Sequence, residues 1–134
     1  MEFVLDASVT LSWFFEDEVT PESAALLEAL AEHEPVAPSI WIYEVVNTFV
    51  LAERNQRISA MHAKSSIQQL LALPVEVVPY PAIDSMHDLA LRHGLTVYDA
   101  AYLNLATGRR IPLATRDRRL RAAAEAAGIE VLAA

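Results

Sequence analysis

The elements that the sequence predicts indicate an α/β fold in which a mainly parallel sheet is covered by helices on both faces. Three observations lead to this prediction. Short β-prone segments alternate with longer helical ones, cap residues mark most of the boundaries, and 54% of the 134 residues are apolar. A chain of this length and composition fits one domain, residues 1–134, with a substantial core.

Five short apolar segments predict the strands. The first ends at Asp6, and the third is bounded by Pro74 and Pro79. The predicted strands are 3–5, 36–37, 75–78, 111–114 and 129–132.

Seven segments between these strands predict helices. Ser or Thr residues stand where an N-cap belongs, and glycines stand where a helix ends. The starts are marked by Thr20, Ser39, Ser59 and Thr96, and the ends by Gly94, Gly108 and Gly128. The predicted helices are 9–15, 21–32, 40–54, 60–73, 82–93, 97–107 and 118–127.

The composition excludes several classes of protein. There is no cysteine for disulfides or zinc clusters, and the four histidines show no metal-ligand spacing. The first residues lack the basic segment of a secretion signal, and no apolar run reaches the ~18 residues that a membrane span needs. We therefore expect a soluble, cytoplasmic protein that does not enter a membrane.

Charge is distributed unevenly along the chain. The net charge is −8, and the first 53 residues hold eleven acids but no lysine or arginine. Six of the ten cations lie between residues 109 and 121. A generic nucleic-acid binder would be basic overall, so binding of nucleic acid here requires that something neutralise the acids.

Two aspartates directly follow predicted strands, where ligands bind in parallel α/β sheets. Asp6 follows the first strand, and Asp117 comes shortly after the fourth. Each also has a structural interpretation, because Asp is a preferred N-cap residue. Asp99 likewise lies three residues after Thr96, in the spacing of a capping box.

Glu44 is the one charge within a nearly continuous apolar segment, residues 40–51. A helix of this kind is buried by the core or by a partner subunit, and a buried carboxylate requires a proton, a cation or a metal. The alternative is an exposed glutamate on a narrow polar stripe with Asn47 and Thr48.

Convergence of Asp6, Glu44, Asp99 and Asp117 would create strong repulsion. Two unit charges ~4 Å apart repel by about 4 kcal/mol at an effective dielectric constant of ~20. A divalent ion would relieve this repulsion, and an all-oxygen ligand set favours Mg²⁺ or Mn²⁺. Such a site suits hydrolysis of phosphate esters by a metal-activated water.

The basic segment near the C-terminus suggests where a polynucleotide would bind. Arg116 and Arg118 flank Asp117, so their guanidinium groups could contact phosphates at the rim of the cleft. The alternative is a solvated helix face that balances the acidic half. With three glycines and no P-loop spacing, use of a nucleoside triphosphate is not expected.

Four segments together resemble the acidic motifs of PIN-domain ribonucleases, and the chain length is similar to that of VapC-type toxins. The segments are VLDASV at 4–9, WIYEVVN at 41–47, YDAAYL at 98–103 and LATRD at 113–117. The resemblance implies a three-layer α/β/α sandwich and Mg²⁺- or Mn²⁺-dependent endonucleolytic cleavage of RNA. It also implies a cognate antitoxin that blocks the cleft, and a homodimer in which residues 41–51 are shared between core and interface.

The resemblance also implies roles for individual residues. Four acids would be catalytic and bind the metal, and three polar residues would support them. The acids are Asp6, Glu44, Asp99 and Asp117, and the supporting residues are Ser8, Asn47 and Thr115.

Two other functions stay open at this point. The first is a phosphohydrolase of the haloacid-dehalogenase type, with Asp6 as nucleophile. Ser8 stands where that motif has its second acid, and the only lysine is Lys64. The second is a non-catalytic module that docks a basic peptide on the acidic half of the chain.

Overall fold

The computed structural model describes residues 1–79 and 82–132. Within them, five short strands form one sheet in which every neighbouring pair is parallel. The strands are β1 (Glu2–Leu5), β2 (Glu34–Pro38), β3 (Glu76–Val78), β4 (Leu113–Ala114) and β5 (Val131–Leu132), in the order β3-β2-β1-β4-β5. Val4 of the central strand lies beside Val36 on one side and Leu113 on the other.

Seven α-helices connect the strands in the described part of the chain. They are α1 (Ala7–Ser12), α2 (Pro21–Ala29), α3 (Ile40–Arg54), α4 (Ala60–Leu71), α5 (Ile83–His93), α6 (Val97–Arg109) and α7 (Arg118–Ala126). Among these, no helix combines the length and apolar character that crossing a membrane requires.

The connections divide the helices into two layers. The steps β1 to β2 and β2 to β3 run one way across the sheet, and those from β3 to β4 and β4 to β5 run the other way. Because such crossovers are right-handed, α1–α4 cover one face and α5–α7 cover the other. The predicted three-layer α/β/α architecture is confirmed. The direction reverses between β1 and β4, which places a ligand-binding crevice at the carboxyl ends of these two strands.

The core lies between the sheet and its two helix layers. Every residue of β1 from Phe3 to Leu5 is buried, as expected for the central strand of a covered parallel sheet. The helix α6 is buried continuously from Ala100 to Ala106, so its middle turns lie inside the protein. Residues near the start of α6 are therefore held firmly at the edge of the sheet.

Several predicted boundaries are confirmed, and others are wrong. The hydroxyls of Thr20, Ser59 and Thr96 cap α2, α4 and α6 as predicted. The predicted bounds of α3, residues 40–54, are also confirmed, although Ser39 makes no side-chain cap hydrogen bond. Gly108 lies within α6, which ends instead with Arg110 in the left-handed conformation (φ 56°).

The bounds predicted for the first helix, residues 9–15, are also wrong. The helix starts at Ala7, directly after Asp6, and ends at Ser12. The turn from β1 into α1 is therefore tighter than predicted. This tight turn brings the N-terminus of α1 to the crevice between β1 and β4.

Candidate active site

The carboxyl end of the sheet carries a pocket of about 320 Å³ that all four predicted acids line. Asp6 follows β1 and Asp117 follows β4, whereas Glu44 lies on α3 and Asp99 on α6. The other lining residues are Ala7, Ser8, Leu11, Asn47 and Thr48. Four segments that are distant in sequence thus contribute acids to one pocket.

Asp6 is fixed by the loop that follows β4. Its Oδ2 accepts hydrogen bonds from the hydroxyls of Ser8 at 2.5 Å and Thr115 at 2.8 Å. Backbone N–H groups hold both hydroxyls, since Arg116 donates to Ser8 Oγ at 2.9 Å and Asp117 donates to Thr115 Oγ1 at 3.1 Å. The two predicted supporting hydroxyls therefore contact Asp6 directly and orient its carboxylate.

Two further hydrogen bonds, made in series, hold the backbone carbonyl of Asp6. The indole N–H of Trp41 donates to Thr10 Oγ1 at 2.9 Å, and the Thr10 hydroxyl donates to the carbonyl of Asp6 at 3.3 Å. Trp41 and Thr10 are both buried. The position of Asp6 is therefore determined by α1, α3 and the loop after β4 together.

The electrostatic environment of Asp6 disfavours its charged form. Only 5% of the residue is exposed, and this burial raises its pKa. Hydrogen bonds from Ser8 and Thr115 lower the pKa, whereas the charges of Asp99 and Asp117 raise it. A cation in the pocket would favour the ionised form.

The two aspartates that follow strands differ in their capping role. Asp6 occupies the N-cap position of α1, but its side chain makes no cap hydrogen bond, so its predicted capping role is wrong. Asp117 is confirmed as a cap, because its Oδ1 accepts from the backbone N–H of Leu120 at 3.0 Å. A cap occupies one carboxylate oxygen, and Asp117 also lines the pocket.

Glu44 is half-buried, so it is neither the fully buried nor the fully exposed glutamate that the sequence left open. Its Oε1 accepts a hydrogen bond from the hydroxyl of Tyr102 at 2.8 Å. Burial raises the pKa of Glu44, the Tyr102 hydrogen bond lowers it, and the charges of Asp6 and Asp99 raise it. Asn47 lies one turn further along α3 and lines the same pocket.

Asp99 lies in the first turn of α6. Its backbone N–H donates to Thr96 Oγ1 at 3.1 Å, so Thr96 caps the helix at this point. Burial raises the pKa of Asp99, and the charge of Asp117 raises it further. The Thr96 hydrogen bond and the charge of Arg119 act in the opposite direction.

The arginines of this region have different surroundings. Arg116 is partly buried, and its Nη1 donates to the carbonyl of Glu18 at 2.7 Å. Arg118 is exposed at the start of α7. Arg119 is also exposed, and its charge influences Asp99. A cation that the sequence did not single out therefore lies near the acidic pocket.

The chemistry of the pocket fits a hard divalent cation. None of the ion pairs formed by residues 1–79 and 82–132 involves the four acids. Carboxylate oxygens are the ligands that Mg²⁺ and Mn²⁺ prefer. As the described side chains lie, no three His, Asp or Glu residues form a group that could hold an ion. Mg²⁺ is usually bound by one or two carboxylates and keeps several waters, so the acids that line the pocket would share its coordination with water.

Sequence reasoning missed Tyr102, the hydrogen-bond partner of Glu44. A signal for this pair was present, because a tyrosine within the apolar segment 100–106 needs a partner for its hydroxyl. A glutamate within the apolar segment 40–51 has the same need. No spacing rule connects two residues that are 58 positions apart.

The fold and the pocket define the class of protein. It is a three-layer α/β/α protein whose parallel sheet carries a carboxylate site where the direction of its connections reverses. The chain belongs to the PIN-domain family, since the PIN-domain profile matches residues 3–126.

Curated relatives are similar over most of their length. Ribonuclease VapC12 of Mycobacterium tuberculosis is 34% identical over 118 residues, which cover 87% of this chain and 88% of that protein. Ribonuclease VapC1 of the same species is 31% identical over 121 residues, which cover 80% of this chain and 91% of that protein.

Solved structures share the fold. PAE2754 from Pyrobaculum aerophilum has a TM-score of 0.72 at 24% identity, covering 98% of this chain and 84% of that one. VapBC2 from Rickettsia felis, bound to a DNA fragment from their promoter, has a TM-score of 0.69 at 14% identity. That match covers 99% of this chain and 98% of the other.

Proposed function

We propose that the protein is a Mg²⁺- or Mn²⁺-dependent endoribonuclease and the toxin of a type II toxin–antitoxin pair. The observation that carries this proposal is that four carboxylates from distant segments line one pocket. Family membership and similarity to proteins named Ribonuclease VapC support RNA as the substrate.

In this proposal the four acids would hold the cation. When bound, the cation would polarise the attacking water and offset charge on the phosphate. The hydroxyls of Ser8 and Thr115 keep Asp6 oriented toward the pocket, and its burial excludes competing water from that carboxylate. Asp117 is held through its cap on α7, so its position is fixed relative to Asp6.

Phosphates of the RNA would meet positive charge at the rim of the pocket. Of the two predicted arginines, Arg118 is exposed, whereas Arg116 donates to the carbonyl of Glu18. Arg119 is exposed near Asp99. We therefore propose that Arg118 and Arg119 contact the phosphates. Arg116 would support the site through its backbone N–H, which donates to the Ser8 hydroxyl that holds Asp6.

The test is cleavage of RNA by the purified protein. We expect cleavage with Mn²⁺ or Mg²⁺ and none in EDTA. Asp6→Asn and Asp99→Asn should lower the rate by roughly 10²- to 10³-fold, the range seen when a group that stabilises transition-state charge is removed. Asp88→Asn, an exposed position on α5, is the matched control. Undiminished cleavage in EDTA would contradict the metal mechanism.

A cognate antitoxin and a second copy of the chain are the proposed partners. The similarity of the fold to VapBC2 supports the antitoxin. Exposed apolar side chains of α3 support the homodimer, since Tyr43 is 70% exposed and Leu51 is 47% exposed. The inner face of the same helix packs in the core through Trp41, Val45 and Phe49.

The phosphohydrolase alternative receives no support from the pocket. Lys64, the only lysine of the chain, is exposed on α4 and is not among the residues that line the pocket. Ser8, at the position of that motif's second acid, donates its hydroxyl to Asp6. The expected result of trapping with fluoroberyllate is therefore no adduct on Asp6.

A further inference from the structure

Tyr102 is a buried tyrosine whose hydroxyl contacts one of the acids that line the pocket. It has no exposed surface, and it lies one turn after Asp99 on α6. Its hydroxyl donates to Glu44 Oε1 at 2.8 Å. The helix that supplies one acid of the pocket therefore also holds a second acid, which belongs to α3.

The same hydroxyl lies near the turn that carries Asp6, which Ala7 directly follows. Burial raises the pKa of Tyr102, the charge of Asp6 raises it further, and the backbone N–H of Ala7 lowers it. The Tyr102 hydroxyl therefore lies where the segments that supply Asp6, Glu44 and Asp99 come together, and its hydrogen bond joins the last two.

The hydrogen bond from Tyr102 to Glu44 is needed because the acids of the pocket repel one another. The charges of Asp6 and Asp99 both act on Glu44, and a glutamate side chain can rotate away into solvent at little cost. Tyrosine has only two side-chain torsions, and burial of Tyr102 fixes both. Its hydrogen bond engages Oε1 and leaves Oε2 of Glu44 for another ligand.

We propose that Tyr102 is a positioning residue that holds Glu44 in place for the divalent cation. The inference rests on the proposed metal-dependent function. Tyr102 acts through Glu44 and does not contact the substrate. Groups that orient a metal ligand in this way typically contribute 10- to 100-fold to metal affinity or activity.

The test uses Tyr102→Phe, which removes the hydroxyl and keeps the ring. Tyr98→Phe is the matched control, because it removes a hydroxyl from a 60% exposed residue of the same helix. Mn²⁺ binding to the full chain, without RNA, is measured by calorimetry. We expect Tyr102→Phe to weaken Mn²⁺ binding by about 10- to 100-fold and Tyr98→Phe to leave it unchanged.

A double-variant cycle separates positioning from a general structural role. In a Glu44→Gln background, Tyr102→Phe should cause no further loss of Mn²⁺ affinity, because its target is already removed. Additive losses would overturn the inference, as would equal Mn²⁺ affinity in Tyr102→Phe and Tyr98→Phe. A Tyr102→Phe chain that does not fold would also overturn it, since the hydroxyl would then hold the fold.

The behaviour of the wild-type protein distinguishes a failure of the proposed function from a failure of the role proposed for Tyr102. Wild-type protein that binds no Mn²⁺ and cleaves no RNA would overturn the proposed function, and this inference with it. Wild-type protein that binds Mn²⁺ and cleaves RNA, beside an equally competent Tyr102→Phe, would overturn the role of Tyr102 alone.

Discussion

At the scale of single residues, the ionisation of Asp6 links the stability of the metal-free protein to pH. Burial raises the pKa of this carboxyl, so the folded protein holds the proton more tightly than the unfolded chain. The resulting contribution to stability is complete below the unfolded pKa of about 3.9. It is lost as the pH rises through the raised pKa of the folded state.

This linkage predicts the effect of Asp6→Asn on stability. Asparagine does not ionise, and its amide oxygen can still accept from Ser8 and Thr115. In EDTA at pH 7.5 the variant should melt roughly 3 to 5 °C above wild type, which corresponds to a change of the order of 1 kcal/mol for a chain of this size. The difference in melting temperature between the variant and wild type should shrink as the pH falls toward 4.

Thermal unfolding followed by circular dichroism across this pH range checks the prediction. Asp88→Asn, exposed on α5, is the control and should melt with wild type throughout. A wild-type protein that melts at or above Asp6→Asn at every pH would show that the charge of Asp6 is already compensated without metal.

The sequence predicted the acids of the site and the hydroxyls of Ser8 and Thr115 that hold Asp6, but not the Tyr102 hydroxyl that holds Glu44. Asp6 and Asp117 could be found because residues after parallel strands meet at one edge of a sheet. Glu44 could be found because a charge in an apolar segment needs an explanation. Tyr102 could not be found in the same way, because its pairing with Glu44 depends on how α6 packs across from α3.

At the scale of elements, the two glycines of α5 and α6 have opposite roles. Gly94 ends α5 with φ +64°, a conformation that side chains disfavour. Gly108 lies within α6, and a Cβ added there would meet no atom within 4 Å. The sequence predicted a helix end at both glycines. Only Gly94 ends a helix, because a glycine marks a helix end when its backbone is left-handed, and Gly108 is helical.

The difference predicts opposite effects of alanine. Gly94→Ala should destabilise the protein by about 1 kcal/mol, and Gly108→Ala should stabilise it by about 0.5 to 1 kcal/mol. Urea unfolding of both variants beside wild type measures the two changes. Equal destabilisation by both would mean that α6 ends at Gly108 after all.

The caps show which local signals carry the most information. Thr20, Ser59 and Thr96 were predicted as caps because each precedes a helical segment, and each hydroxyl accepts the expected backbone N–H. The same signal was wrong for Ser39, whose backbone is already helical. An N-cap needs an extended backbone, and tertiary packing determines that conformation.

At the scale of the whole molecule, the fold brings acids from the first half of the chain close to arginines from near its C-terminus. The acidic first half supplies Asp6 and Glu44, and the basic segment near the C-terminus supplies Arg119 close to Asp99. A divalent cation would complete this arrangement by joining the acidic pocket to the phosphates that the arginines attract.

The proposed homodimer is tested at the same scale. The outer face of α3 leaves Tyr43 and Leu51 exposed, so a charge placed there should oppose association. Leu51→Glu should sediment as a monomer at concentrations where wild type is a dimer. Met61→Glu, at an 81% exposed position on α4, is the control and should remain a dimer. A wild-type monomer would contradict the dimer.

The most direct measurement is the anomalous diffraction of Mn²⁺ in crystals of the wild-type protein. We expect a peak in the pocket, about 2.0 to 2.3 Å from carboxylate oxygens of Asp6 and at least one of its acidic neighbours. A peak elsewhere on the protein, or none at saturating Mn²⁺, would contradict the claim that these carboxylates form one metal site.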